Sequence, residues 1–204
     1  MKNLFIATCC SILFACSMAP LDKNVIKQTP DNVIVRTKSI SVTKVVDTIS
    51  QGSVVGKYYS GLFSCVSRGD SRWIGNEKLM NSTGDIVRSK LEKYGYSLVG
   101  KAYSPFSEEY AKQSDLLLGG KLVDVKANTC RTVSGVKGEV YIKIDWEIYD
   151  NKTKKVILMI NTEGYDSSNE PNKFGDKDLY EKAFDMAIDN LLAEKAFYTL
   201  LTKD

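Results

Sequence analysis

The sequence predicts an α+β fold: a mixed sheet that ends in a three-stranded antiparallel meander, with helices packed on one face. Three observations carry this reading. Val140, Ile142, Ile144, Trp146 and Ile148 alternate with Glu139, Tyr141, Lys143, Asp145 and Glu147, the period of two of a strand with one buried face. The runs on either side, SDLLLGGKLVDVKANTC and NKTKKVILMINTEGY, are rich in Leu, Val and Ile, and Gly, Asn and Asp mark the connections, so three strands follow one another. Two other stretches space their apolar residues at the period of a helix.

Taken from the amino terminus, residues 1–15 (MKNLFIATCCSILFA) place Lys2 before a mostly apolar stretch. That stretch is too short to span a bilayer, which takes about 20 apolar residues, and it has the form of a secretory signal peptide. Its end, Leu13-Phe14-Ala15-Cys16, resembles the lipobox of bacterial lipoproteins, with Phe14 where a smaller residue is usual. The resemblance implies lipidation, including palmitate, at Cys16. Each buried methylene then contributes about 0.8 kcal/mol to anchoring. Ser17 after the cysteine, rather than Asp, implies an outer-membrane protein facing the periplasm. Residues 16–52 are expected to be the lipidated cysteine and a tether, flexible from Ser17 to about Asp31. Within them, Asn32–Val46 is β-prone but irregular: an edge strand, a segment lying on the domain, or an ordered extension of the tether.

Residues 53–204 are expected to form the α+β envelope domain. Val54–Val66 is its first strand, with Gly56 and Gly61 as bulge signals. Arg68–Gly75 is a loop, and the Arg-Gly-Asp triplet within it is too short to argue adhesion. Asn76–Tyr94 carries Leu79, Met80, Thr83, Ile86, Val87, Leu91 and Tyr94 on one helical face, and Gly95 stops the helix. Tyr96–Lys101 reads as a short strand and Ser107–Gln113 as a brief helix. Gly119 and Gly120 sit where the first meander strand changes face, which predicts a bulge. Ser134–Gly138 and Asp150–Thr153 make the two turns, and DSSNEPNKFGD after Tyr165 is a polar loop. Lys177–Leu201 is one long helix with Tyr180, Ala183, Phe184, Ala187, Ile188, Leu191, Leu192 and Tyr198 inward.

The motifs SKLEKYGYSLVG, SDLLLGGKLVDVKANTC and GEVYIKIDWEIYDNKTKKVILMINTEG together resemble a bacterial envelope domain found ahead of some trypsin-like serine peptidase domains. The matching steps are Tyr94–Tyr96, Leu117–Asp124, Ala127–Cys130 and Gly138–Trp146, within roughly residues 53–200. The order of elements is also similar to the amino-terminal domain of the Tol translocation protein and to the curli-secretion lipoprotein group. No stretch of these 204 residues reads as a peptidase domain, so the family's protease activity is not expected to carry over. The resemblance implies an accessory or sensing module of the envelope.

The chemistry points the same way. The 204 residues include no histidine, which excludes a Ser-His-Asp triad, a Cys-His pair and histidine metal sites. The formal charge of +3 gives no case for nucleic acid. Asp176, Asp178 and Glu170 lack the spacing of an EF-hand and read as a solvated loop. No catalytic residue, metal site or cofactor is expected. Cys65 and Cys130 are the cysteines left to the domain besides Cys16, either bridged in an oxidising compartment or two buried thiols. Tyr141, Lys143, Asp145, Glu147 and Tyr149 form the outer face of the middle strand. That face suits a protein interface, and it equally suits cross-strand packing. The expected protein is non-enzymatic and anchored to the membrane by lipid. It either binds an envelope partner or assembles with itself, or it serves a separately encoded peptidase or cell-wall enzyme.

Overall fold

The computed structural model describes residues 18–21, 23–30, 38–62, 64–75, 77–100 and 113–201. The leader, Cys16 and the expected helix from Ser107 lie outside the described residues.

The meander dominates. Strands β4 (Leu116–Thr132), β5 (Gly135–Asp150) and β6 (Lys155–Asn172) pair antiparallel in sequence order. Their length sets the rest of the sheet, because two shorter strands are needed to cover the other edge of β4. Strand β1 (Ile40–Asp47) runs parallel to its first half, with Ile40 against Leu116. Strand β2 (Val54–Ser60) runs parallel to its second half, with Tyr59 against Cys130. Strand β3 (Val66–Arg72) returns antiparallel on β2, so the six-stranded sheet is mixed.

Helix α1 (Glu77–Lys93) ends as its sequence predicts. Gly95 takes φ +75°, and the amides of Gly95 and Tyr96 close on the carbonyls of Glu92 and Leu91, a Schellman stop. Helices α2 (Lys177–Ala193) and α3 (Lys195–Leu201) complete the chain. The three helices cover one face of the sheet, and Val87, Leu91, Phe184, Ile188 and Leu191 are buried there with Val140, Ile142, Ile144, Trp146 and Ile148. The Trp146 indole donates to Thr162 Oγ1 at 2.8 Å, which satisfies its only polar atom in the core. Gly164 lets α2 lie against β6: a Cβ there would stand 1.9 Å from the Ala183 carbonyl oxygen.

Several expectations need correcting. Arg68–Gly75 is not wholly a loop, since β3 extends to Arg72 as an edge strand; exposed on nearly every side chain, it has no burial pattern to read. Conversely, the first strand stops at Ser60 and does not run to Val66. Tyr96–Val99 supplies only an isolated bridge, Leu98 to Ile40. Against β5 the bulge of β4 falls not at the glycine pair but between Leu122 and Asp124, so that Leu122 and Val125 both point inward; at the glycine pair the register shifts only against β1, between Val42 and Val45. Gly120 instead makes room for the Trp146 ring, which a Cβ would approach to 3.0 Å. The polar run after Tyr165 continues β6 to Asn172, where Pro171 is tolerated because β6 is an edge strand. The last helix breaks at Glu194 (ψ 120°), which resets its phase and turns Phe197 inward instead of Tyr198.

Candidate functional site

Among the described residues no helix lies on the sheet's second face, and the site is built there. Its residues come from one side of β4, β5 and β6: Lys126 and Asn128; Glu139, Tyr141, Lys143, Asp145, Glu147 and Tyr149; Met159, Asn161, Glu163 and Tyr165.

The end of this face near the β4–β5 turn is covered by the chain itself. Residues Met18–Pro30, expected to be a free tether, are hydrogen-bonded onto the domain as a strap. Asn128 Nδ2 donates to the Ala19 carbonyl at 2.8 Å, and the Leu21 amide donates to Glu139 Oε1 at 2.6 Å. Glu139 also accepts from the Tyr165 hydroxyl at 2.7 Å and from Asn128 Nδ2 at 3.4 Å, so a residue only 6% exposed is held by groups from three segments. Lys23 Nζ lies 4.2 Å from the centre of the Tyr141 ring, within cation–π range.

The strap then reaches the helical side. The Gln28 amide donates to Asn190 Oδ1 at 2.7 Å, and Lys27 pairs with Asp189 at 3.1 Å. Asp189 is buried and also pairs with Lys90 of α1, which bonds Asp185 at 2.8 Å. The Asp189 carboxylate holds the Lys27 ammonium above its ordinary pKa. Between strap, α1 and α2 lies a cleft of about 580 Å³, lined by Lys27, Thr29, Pro30, Asp85, Ile86, Lys90, Lys93 and Asp185 among others. Lys27 and Lys90 are already matched by acidic partners, so the cleft has no strong excess of charge to offer a ligand.

The predicted interface residues therefore divide. Tyr141 is not on a free surface: it is 1% exposed, and its hydroxyl donates to Glu163 at 2.8 Å. Burial, with the Glu163 carboxylate second, pushes its phenol well above the usual range. Lys143, Asp145, Glu147 and Tyr149 remain half-exposed. Lys143 stands 3.8 Å from Glu163, Glu147 pairs with Lys121, and Asp145 accepts from Asn161. The residues missed by sequence reasoning are Met159, 66% exposed opposite Glu147, and Val156, 47% exposed opposite Tyr149. Their signal was the unbroken apolar run VILMI, of which Val156, Ile157 and Met159 are exposed while Leu158 and Ile160 are half-buried.

Cys65 and Cys130 are bridged, with Cα atoms 5.7 Å apart at a sequence separation of 65. Asp70 of the Arg-Gly-Asp triplet pairs with Lys57 at 2.7 Å on β3. Asp178 bonds Lys182 and Asn172 at 2.7 and 2.6 Å. Among the described residues no group of three His, Cys, Asp or Glu side chains is placed to hold a metal ion, and no helix is long and apolar enough to cross a membrane.

No family model matches the chain, and no curated protein does. The resemblance to the peptidase-associated envelope domain thus has no match at the level of sequence families. Solved structures share a distant likeness. A DUF330 protein from Xanthomonas campestris is 11% identical, covering 85% of this chain and 90% of that one, with a TM-score of 0.47. A PelC dodecamer from Paraburkholderia phytofirmans is 11% identical, covering 89% and 100%, with a TM-score of 0.49. A lipoprotein from Neisseria meningitidis is 13% identical, covering 68% and 89%, with a TM-score of 0.36. Likeness of this degree carries no argument about site, partner or activity, which rest on the residues described above.

Proposed function

We propose that the protein is a non-enzymatic, lipid-anchored component of the bacterial cell envelope, held at the outer membrane through Cys16 and facing the periplasm. The part of its second sheet face beyond the strap binds another envelope protein or a second copy of the chain. The leader and the Leu13–Cys16 motif support the anchor. A disulfide between Cys65 and Cys130 suits an oxidising compartment.

One observation carries the binding surface. On the strap-free part of the face, Val156 and Met159 stand open beside half-exposed Tyr149, among charges that already have partners. Tyr and Met are the side chains enriched at interfaces, and a charge-compensated surround lowers the cost of desolvating the patch. Affinity purification of the tagged lipoprotein from detergent-solubilised membranes tests the proposal. A stoichiometric partner or a defined oligomer is expected, lost when Met159 is replaced by Asp. Recovery of the wild type alone and monomeric contradicts it. An associated peptidase or cell-wall enzyme would make the chain an accessory subunit. Replacing Cys16 by Ala should release the protein from membranes, and unchanged fractionation would remove the lipid anchor from the account.

A further inference from the structure

We infer that the end of the sheet marked by the Cys65–Cys130 disulfide faces the bilayer, with Leu62, Val133 and Phe174 as apolar tips seated in its interfacial layer. This rests on the lipid anchor at Cys16 proposed above and adds to it an orientation and a contact surface.

The first observation is where the strap begins. Met18 packs against Tyr59, Cys65 and Cys130. Cys16 is two residues earlier in the chain, so its Cα lies within about 7 Å of that of Met18 whatever path the backbone takes. A long flexible tether would let the domain tumble freely. With the strap bonded to Asn128 and Glu139, almost no slack remains, and an acylated Cys16 brings the membrane to this end.

The second observation is what the end displays. Three connections meet there. The Gly61 amide bonds the Arg131 carbonyl, linking the β2–β3 loop to the β4–β5 turn, and Val136 pairs with Asn172 just before the β6–α2 turn. Each connection carries a large apolar side chain in the open: Leu62 at 66% exposure, Val133 at 74% and Phe174 at 83%. Turns are ordinarily built from Gly, Asn, Asp and Ser, and a lone exposed hydrophobe needs no explanation. Three on adjoining connections, at the end where the anchor leaves, are explained together by an interfacial environment. Arg68, Arg131, Lys137 and Lys173 lie near the tips, with Glu170 and Asp176 as acidic neighbours, a mixture suited to an anionic headgroup layer.

Full-length acylated protein in vesicles of phosphatidylethanolamine and phosphatidylglycerol with brominated acyl chains gives the test. The native Trp73 and Trp146 are buried and serve as an unquenched background. Single tryptophans are introduced by Phe174→Trp and, as a second probe, Val133→Trp. Ile74→Trp is the control, since Ile74 is 81% exposed but follows β3 at its opposite end. Emission from positions 174 and 133 should be quenched and from position 74 unchanged. Vesicle-bound protein with no quenching at 174 and 133, or equal quenching at all three, overturns the orientation while leaving the anchor in place. Acylated protein that fails to float with the vesicles overturns both.

Discussion

At the scale of single residues, the account depends on close approaches and buried polar atoms. Gly164 is the sharpest case, because a methyl group there would drive into the backbone of α2 at Ala183. Gly164→Ala should therefore lower stability by about 1–3 kcal/mol through overpacking, seen as a fall in the urea midpoint with m unchanged. Asp166 makes the opposite prediction. Its Oδ2 is buried without a hydrogen-bond partner, and burial raises its pKa above the ordinary carboxylate value. The protonated form is thus favoured by the fold. Its contribution is present below the unfolded pKa, about 3.9, and is lost as pH rises through the folded value. Asp166→Asn should gain on the wild type between pH 3 and pH 7, measured as the difference in thermal midpoint. The trace of β5 was legible in the alternation of Val140 to Ile148 with polar neighbours. The burial of Glu139 and Tyr141 was not, since it depends on a strap more than 100 residues away.

At the scale of elements, the strap is what distinguishes this sheet from one with an open second face. Its sequence is polar enough to read as a tether, and among its described residues only Met18, Leu21, Val25 and Pro30 are at least half-buried. Hydrogen bonds to the domain hold it instead, which a pattern of hydrophobicity cannot reveal. Glu139→Ala removes an acceptor shared by the Leu21 amide and the Tyr165 hydroxyl. A loss of about 1.5–3 kcal/mol is expected for bonds to a charged group. The diagnostic readout is faster amide exchange at Leu21 and faster cleavage of residues 18–30 by protease than the global loss explains. Helix α1 was plain from its stripe and from Gly95, whereas β3 and the last third of β6 are edge strands with exposed side chains on both faces, held by backbone pairing. The break at Glu194 was hidden because Phe197 and Tyr198 are both apolar enough to continue the stripe.

At the scale of the whole molecule, the mixed sheet with helices on one side was evident from the order of elements, and the division of the other face was not. The tyrosines make the behaviour in alkali predictable. Burial is the main cause of the raised phenol pKa at Tyr141, Tyr165 and Tyr180. A raised folded pKa means stability fully present below the unfolded value of about 10 and lost as pH climbs beyond it. Stability should therefore fall steeply above about pH 10, and tyrosinate absorbance should rise together with unfolding. The surface that remains outside strap and helices is the one assigned to a partner. A photoreactive residue at position 159, introduced into the full-length lipoprotein in living cells, tests that assignment most directly, with position 195 on exposed Lys195 of α3 as the control. The account predicts one adduct of defined mass from position 159, either with another envelope protein or with a second copy, and none from position 195. No adduct from position 159, with the protein correctly located and folded, would contradict it.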